Sequence, residues 1–167
     1  MKKLSGQGQR WLKCFHVFFA CLWVGGGFAL MLMSIFLVAK DGSELYGLYA
    51  SMQFLDYAVI ATGGVGSLLT GILYSTFTNW GWFKHKWIII KWCINLYGII
   101  LGTFWLGPWL DEMVEIVHAD RMAALANTVY LHNRTMSFAF GLFQLLTILF
   151  ALYLSVHKPW RRKKSEC

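Results

Sequence analysis

Charge is scarce in this chain: 14% of its 167 residues are Asp, Glu, Lys or Arg, against 57% apolar and 17% aromatic. With the apolar residues gathered in long blocks, that scarcity excludes an ordinary soluble domain and makes this an integral membrane protein. No Cys-x-x-Cys pair occurs among the four cysteines, which removes the strong signatures of zinc, iron-sulfur and covalently attached haem. Cys14, Cys21, Cys93 and Cys167 read instead as small hydrophobes. There is no phosphate-binding loop either: Gly63-Gly64-Val65-Gly66 has no lysine behind it and falls inside an apolar block, where glycine lets helices pack closely. No segment alternates with the period of a membrane barrel strand.

What the chain has is apolar blocks at approximately 11–39, 54–77, 87–110 and 135–156, each long enough to cross a ~30 Å hydrocarbon core. Helices satisfy their own backbone in lipid, so the expected fold class is all-α: an integral membrane four-helix bundle, a single domain over 1–167. The opening Met1-Lys2-Lys3 has the charge of a secretory signal, but the block behind it is too long and lacks a small-x-small cleavage site. At ~1.5 Å per residue this first block exceeds the core, so it should tilt or protrude, and Gly25-Gly26-Gly27 is where it is expected to deform.

Basic residues set the orientation. Lys2, Lys3, Arg10, Lys13, Lys84, Lys86, Lys91, Lys158, Arg161, Arg162, Lys163 and Lys164 all fall on one side of a four-span arrangement, leaving Lys40, Arg121 and Arg134 on the other. By the positive-inside rule both termini are expected in the cytoplasm. The formal charge of +7 then belongs to span flanks and an anionic-lipid anchor, and nucleic acid is not an expected partner. The stretch from Asp111 to Asn133 is long for a loop and lacks breakers, so an additional outer-side helix running into span four is expected there.

Depth sorts the histidines. His16, His85 and His157 fall on the inner side and His118 and His132 on the outer, too far apart across a ~30 Å core to share one metal atom. His16 and Lys91 stand out because ionisable groups inside spans are costly. At 100° per residue, His16 shares a face with Ala20, Trp23 and Gly27, and Lys91, at matching depth in span three, shares one with Asn95, Gly98 and Gly102. Small, aromatic and polar residues suit a bundle interior, so a shared pocket is expected.

Two readings of that pocket stand side by side. A histidine inside a bundle is a usual axial ligand for haem iron, with Lys13, Lys84 and Lys86 at the rim to meet the propionates and His85 or Lys91 as candidate sixth ligand. Alternatively, His16 hydrogen-bonds a neighbouring span and Lys91 snorkels to the interface. On the outer side, Asp56, His132, Asn133, Arg134 and Gln144 could meet across the bundle mouth. An Asp56–Arg134 pair would neutralise two costly charges; the functional alternative is a quinone or second-haem site with His132 or His118 as ligand. Met31, Met33 and Met52 are thioethers of the kind that suits copper(I), and also common gap-fillers.

Trp11-Leu12-Lys13-x-Phe15-His16, followed by Leu22-Trp23-x-x-Gly26-x-Phe28-x-Leu30, resembles the first span of the HemJ-type membrane protoporphyrinogen oxidases and of the wider group that includes the copper-resistance CopD domain. Trp87-x-x-x-Lys91 is similar to that group's third span, and Lys158-Pro159-Trp160 to the Lys-Pro-aromatic that closes many members. The resemblance implies a four-span protein of the bacterial cytoplasmic membrane that binds haem b through His16, with Lys91 as functional partner. The implied activity is redox or cytochrome-like electron transfer with a lipid-soluble partner, quinone or porphyrinogen, which leaves a membrane oxidoreductase open. It also admits CopD-like copper transport, or a non-redox transport or interaction protein. The chain departs from the oxidases where they carry a Pro-Arg pair after the first-span motif: here the residues are Met31-Leu32-Met33-Ser34.

Overall fold

Ser5 begins the first helix by accepting the Gly8 amide at 3.2 Å, which satisfies one of the free donors every helix start presents. From there α1 runs unbroken over Gly6–Phe36. The computed structural model describes residues 3–78, 81–83 and 85–157, and among these there is no strand. After a short extended link, Asp41 caps α2 (Gly42–Leu55), its Oδ1 accepting from Ser43 N at 2.8 Å and Glu44 N at 2.9 Å. Glu44 reaches back to the Lys40 amide at 2.7 Å, closing a reciprocal cap. The Ser43 hydroxyl and these two amides hold the Asp41 carboxyl below its usual range. A π-helical segment, Asp56–Ala61, then leads into α3 (Thr62–Phe77). The third span repeats the pattern: α4 (Lys86–Leu101), a π segment over Gly102–Leu106, and α5 (Gly107–Asp120), which carries Pro108 in its first turn where no amide is needed. A 3-10 segment, Arg121–Ala126, ends it, and α6 (Thr128–His157) forms the last span.

Four helical stretches are long and apolar enough to cross a membrane: Gly6–Phe36, Gly42–Phe77, Lys86–Ala126 and Thr128–His157. The protein is therefore a multi-pass, all-helical membrane protein in contact with lipid, and exposed side chains such as Phe18, Phe28, Leu32, Phe143 and Leu146 are its lipid-facing surface. Its polar side chains point the other way, with Ser67, Thr70, Ser75, Asn133 and Gln144 all buried. The Leu4 amide bonds the Phe77 carbonyl at 3.1 Å, so the start of α1 and the end of α3 lie at one end of the bundle, together with the start of α4 and the end of α6. We call this the basic end and the opposite one the acidic end.

The second and third stretches are 36 and 41 residues long, roughly 54 and 62 Å at 1.5 Å per residue, well beyond the ~30 Å core. Their excess, α2 and α5, packs with the start of α6 around a separate hydrophobic core that includes Leu45, Tyr49, Met52, Val114, Val117 and Tyr130. Polar ties cross it: Tyr49 and Tyr130 hydroxyls meet at 2.8 Å, Asn133 donates to Glu112 at 2.7 Å, and Gln53 and Tyr57 donate to Asp111 at 2.8 and 2.7 Å.

Sequence-based expectations differ from this in three places. The helix over Asp111–Asp120 prolongs span three and does not run into span four; Asn127 breaks the path and starts α6 by accepting from Val129 N at 2.9 Å. Residues 128–134 belong to α6, where His132, Asn133 and Arg134 dilute the hydropathy, and span two begins twelve residues before 54 with α2, where Ser43, Glu44 and Ser51 do the same. Gly25-Gly26-Gly27 leaves α1 undeformed; the irregular turns are the π segments of spans two and three. Lys84 and the closing Lys158-Pro159-Trp160 lie outside the described residues.

Small residues set the approach of α1 to α3. A Cβ at Gly63 would lie 2.5 Å from the Trp23 backbone nitrogen and 2.9 Å from the Phe19 carbonyl oxygen, and one at Gly66 would fall inside the Phe19 ring. Gly47 has open space at the same test. Gly63→Ala is expected to cost about 1–3 kcal/mol as an overpacking change, and Gly47→Ala to leave stability within about half a kcal/mol. Unfolding of the two variants in detergent checks this; equal losses would remove the special standing of the Gly63 contact.

Candidate functional site

The basic-end cavity has a volume of about 390 Å³ and lies among α1, α3, α4 and α6. His16, Lys91, Trp23 and Asn95 all line it, as does Lys13. The two costly residues of the sequence do face one pocket. His85 does not line it: its ring stacks on Trp87 at 6.0 Å. Lys91 lies over the other side of the pocket wall, its Nζ 5.9 Å from the centroid of the Trp87 ring.

The protonation pattern of His16 follows from its partner. His16 Nδ1 is 2.8 Å from the Thr70 hydroxyl oxygen, and that oxygen is 2.6 Å from the Gly66 carbonyl and 3.2 Å from the Ser67 carbonyl. A hydroxyl has one proton, and carbonyl oxygens can only accept, so the Thr70 proton goes to the backbone of α3. The hydroxyl then accepts from His16, which fixes Nδ1 as the protonated nitrogen and leaves the lone pair on Nε2. This is the arrangement that second-shell partners impose on metal-ligating histidines. Around it, Gly71 keeps the wall thin: a Cβ there would meet His16 Cε1 and the Trp92 ring, each at 3.9 Å. Asn95 Oδ1 is buried without a hydrogen-bond partner, as is Ser67 Oγ.

Sequence reasoning missed Thr70 and the hydroxyls of Ser67 and Ser75. Their spacing was the signal: 67, 70, 71, 74 and 75 recur along one face of span two, and all line this cavity except Thr70, whose hydroxyl reaches the cavity through His16.

The acidic-end cavity is larger, about 670 Å³. Asp56, Arg134 and Gln144 line it, while His132 and His118 do not. His132 is exposed, and His118 is exposed with its ring tilted against Tyr46 at 5.0 Å, so neither is available as a ligand in this cavity. No hydrogen bond or ion pair joins Asp56 to Arg134 among the described residues; the charged group felt most by Asp56 is Asp111. Met31, Met33 and Met52 line the cavity together with Met113, which the sequence did not single out. Among the described residues no group of three or more His, Cys, Asp or Glu side chains is placed to hold a bare metal ion.

Trp23 and Ile148 line both cavities and form the partition between them. The Trp23 indole lies between glycines of two spans: a Cβ at Gly64 would be 3.5 Å from its Cε2, and one at Gly98 would be 2.8 Å from Cζ2 and 3.0 Å from Cη2. Gln144 reaches the same level and donates Nε2 to the Gly98 carbonyl at 3.3 Å.

Fold and site define a membrane protein with four helical stretches long enough to span and, among the described residues, a cavity toward each end of the bundle. No protein-family model matches the chain, and no solved structure matches it. Two curated relatives do. The chain is 28% identical over 108 residues to the cytochrome c-type biogenesis protein CcmF of Haemophilus influenzae and 26% identical over 108 residues to the protein of that name in Pseudomonas aeruginosa. Each similarity takes in 60% of this chain and spans only 16% of the relative.

The Trp23 partition makes a double-mutant prediction. Gly98→Ala is expected to destabilise by about 1–3 kcal/mol, because the new methyl meets the outer edge of the indole. In a Trp23→Phe background that edge is gone, and the cost of Gly98→Ala should shrink by at least about 0.5 kcal/mol. Thermal unfolding of the four proteins reads the cycle, and additive losses would mean that the indole does not fill this gap.

Proposed function

We propose that the chain is a haem b-binding membrane protein of cytochrome-like electron transfer, with the basic-end cavity as the haem site and His16 as an axial ligand. The observation that carries this reading is the Thr70 contact, which presents His16 as a neutral imidazole with its lone pair on Nε2 inside a pocket shared with Lys91. The pocket volume falls within the range of cofactor sites, and its unpartnered Asn95 Oδ1 marks a polar atom without a partner from the bundle. The relatives are named for biogenesis of c-type cytochromes, which carry haem on Cys-x-x-Cys-His; this chain has no such motif, so its own haem would be held without covalent attachment.

When bound, haem b supplies a one-electron redox centre. His16 supplies the imidazole and Thr70 fixes its orientation. Lys13 brings an ammonium group to the same cavity, suited to a propionate. Val17, Ala20, Ile94 and Leu152 give it an apolar wall that excludes water. Lys91 is the better candidate for a sixth ligand than His85, which the pocket does not include. The electron partner is a lipid-soluble molecule, quinone or porphyrinogen, as in the HemJ-type proteins that the first and third spans resemble; both termini face the cytoplasm of a bacterium, as the distribution of lysine and arginine favours. One observation favours the CopD-like copper alternative instead: four methionines line the acidic-end cavity.

Protein purified in detergent from haem-replete cells is expected to show a Soret band that sharpens on dithionite reduction. His16→Ala should abolish it. Thr70→Val, which keeps the shape but removes the acceptor, should weaken haem affinity about 10–100-fold in titrations of the apoprotein. A colourless wild-type protein defeats the proposal.

A further inference from the structure

The haem reading leaves the acidic-end cavity unused, although it is the larger of the two and holds a carboxylate within a membrane span. Asp56 opens the π segment of span two and reaches toward the π segment of span three: a Cβ at Gly107 would lie 4.0 Å from Asp56 Oδ2 and 3.1 Å from the Gly102 carbonyl. π segments widen a helix by one residue per turn and recur at ligand sites. No hydrogen bond or ion pair reaches the Asp56 carboxyl among the described residues, and the charged neighbour that acts on it, Asp111, adds negative charge. A second polar group points the same way. Gln144 is 93% buried, donates one amide proton to the Gly98 carbonyl and leaves Oε1 without a partner at the wall of this cavity.

The remaining lining is apolar, aromatic and sulfur-bearing. Trp23 forms the floor, Tyr49 and Tyr130 stand in the wall, and Met31, Met33, Met52 and Met113 complete it. Indole and phenol faces attract cations, and thioethers adapt to bulky apolar shapes. The acidic end as a whole carries Asp41, Glu44, Asp56, Asp111, Glu112, Glu115 and Asp120 against Lys40, Arg121 and Arg134, a field that concentrates cations. A volume of about 670 Å³ is far more than one metal ion fills.

We propose that the acidic-end cavity binds a lipophilic organic cation, its charge met by Asp56 and the Gln144 carbonyl oxygen and its apolar body by the tyrosine, tryptophan and methionine wall. Arg134 lines the same cavity and opposes the cation, which limits affinity and makes its removal informative. This proposal does not depend on haem at the other end.

Tetraphenylphosphonium and tetraphenylborate, ions of the same shape and opposite charge, are the probes. Equilibrium dialysis on the detergent-purified full chain should give saturable binding of the phosphonium and none of the borate. Asp56→Asn is expected to weaken the phosphonium at least about tenfold, the loss of one charge-assisted contact, and Arg134→Gln to strengthen it. Filling the cavity with Met52→Trp should displace the probe while Asp56 is intact, which keeps the test decisive if Asp56→Asn fails to fold. Equal binding of phosphonium and borate, or saturable phosphonium binding unchanged in both Asp56→Asn and Met52→Trp, overturns the proposal.

Discussion

The contact between α1 and α3 is the constraint on which the rest of the bundle depends. Gly63 lets the two helices meet backbone to backbone and Gly66 makes room for the Phe19 ring, so that a side chain at either position would collide with α1. In lipid there is no hydrophobic force to pull apolar helices together, so close packing and hydrogen bonds between spans must do it. The same approach sets the register of everything above and below. One turn toward the basic end it brings His16 to Thr70, and at its own level it lays the Trp23 indole across the bundle to Gly98 of α4.

Placed this way, polar groups inside the spans fall into two sets that do not touch. His16, Thr70, Ser67, Asn95 and Lys91 gather below the partition, and Asp56, Gln144 and Arg134 above it. Each set is expensive in a membrane and neither is explained by packing alone. The lower set has a donor-acceptor order that ends in a free imidazole lone pair. The upper set has the Asp56 carboxyl and the Gln144 carbonyl oxygen, neither of which meets a protein donor among the described residues, with the Arg134 side chain lining the same cavity. Their chemistry differs, and so do the occupants that suit them.

Much of this was legible in the sequence, and the illegible parts have identifiable causes. The class, the helical fold and the shared pocket of His16 and Lys91 follow from hydropathy, charge distribution and helical spacing, because those depend on residues within a few turns of one another. Thr70 was not found because the small and polar face it shares with Ser67, Gly71 and Ser75 shows only that the face is buried; the meeting of two spans is what gives its hydroxyl a role. Asp56 and Arg134 looked like an ion pair because their depths match; both do face one cavity, but they line it without an ion pair between them, and spacing along a helix does not report the width between spans. The α-helix runs unbroken through the glycine triplet of α1, since glycine permits a bend without imposing one, and Gly26 packs against Val59 and Ile60 of the π segment of span two. The π turns arose instead in spans two and three.

The partition is one indole thick. Trp23 and Ile148 are common walls, so no part of the bundle stands between the two chambers except side chains that both of them touch. An occupant that tilts the indole from below changes the floor of the chamber above, and an occupant above that does so changes the roof of the one below by the same free energy, since coupling between sites is reciprocal. The glycines at positions 64 and 98 flank the ring: a Cβ at 98 would press on it, and one at 64 would lie in van der Waals contact with it.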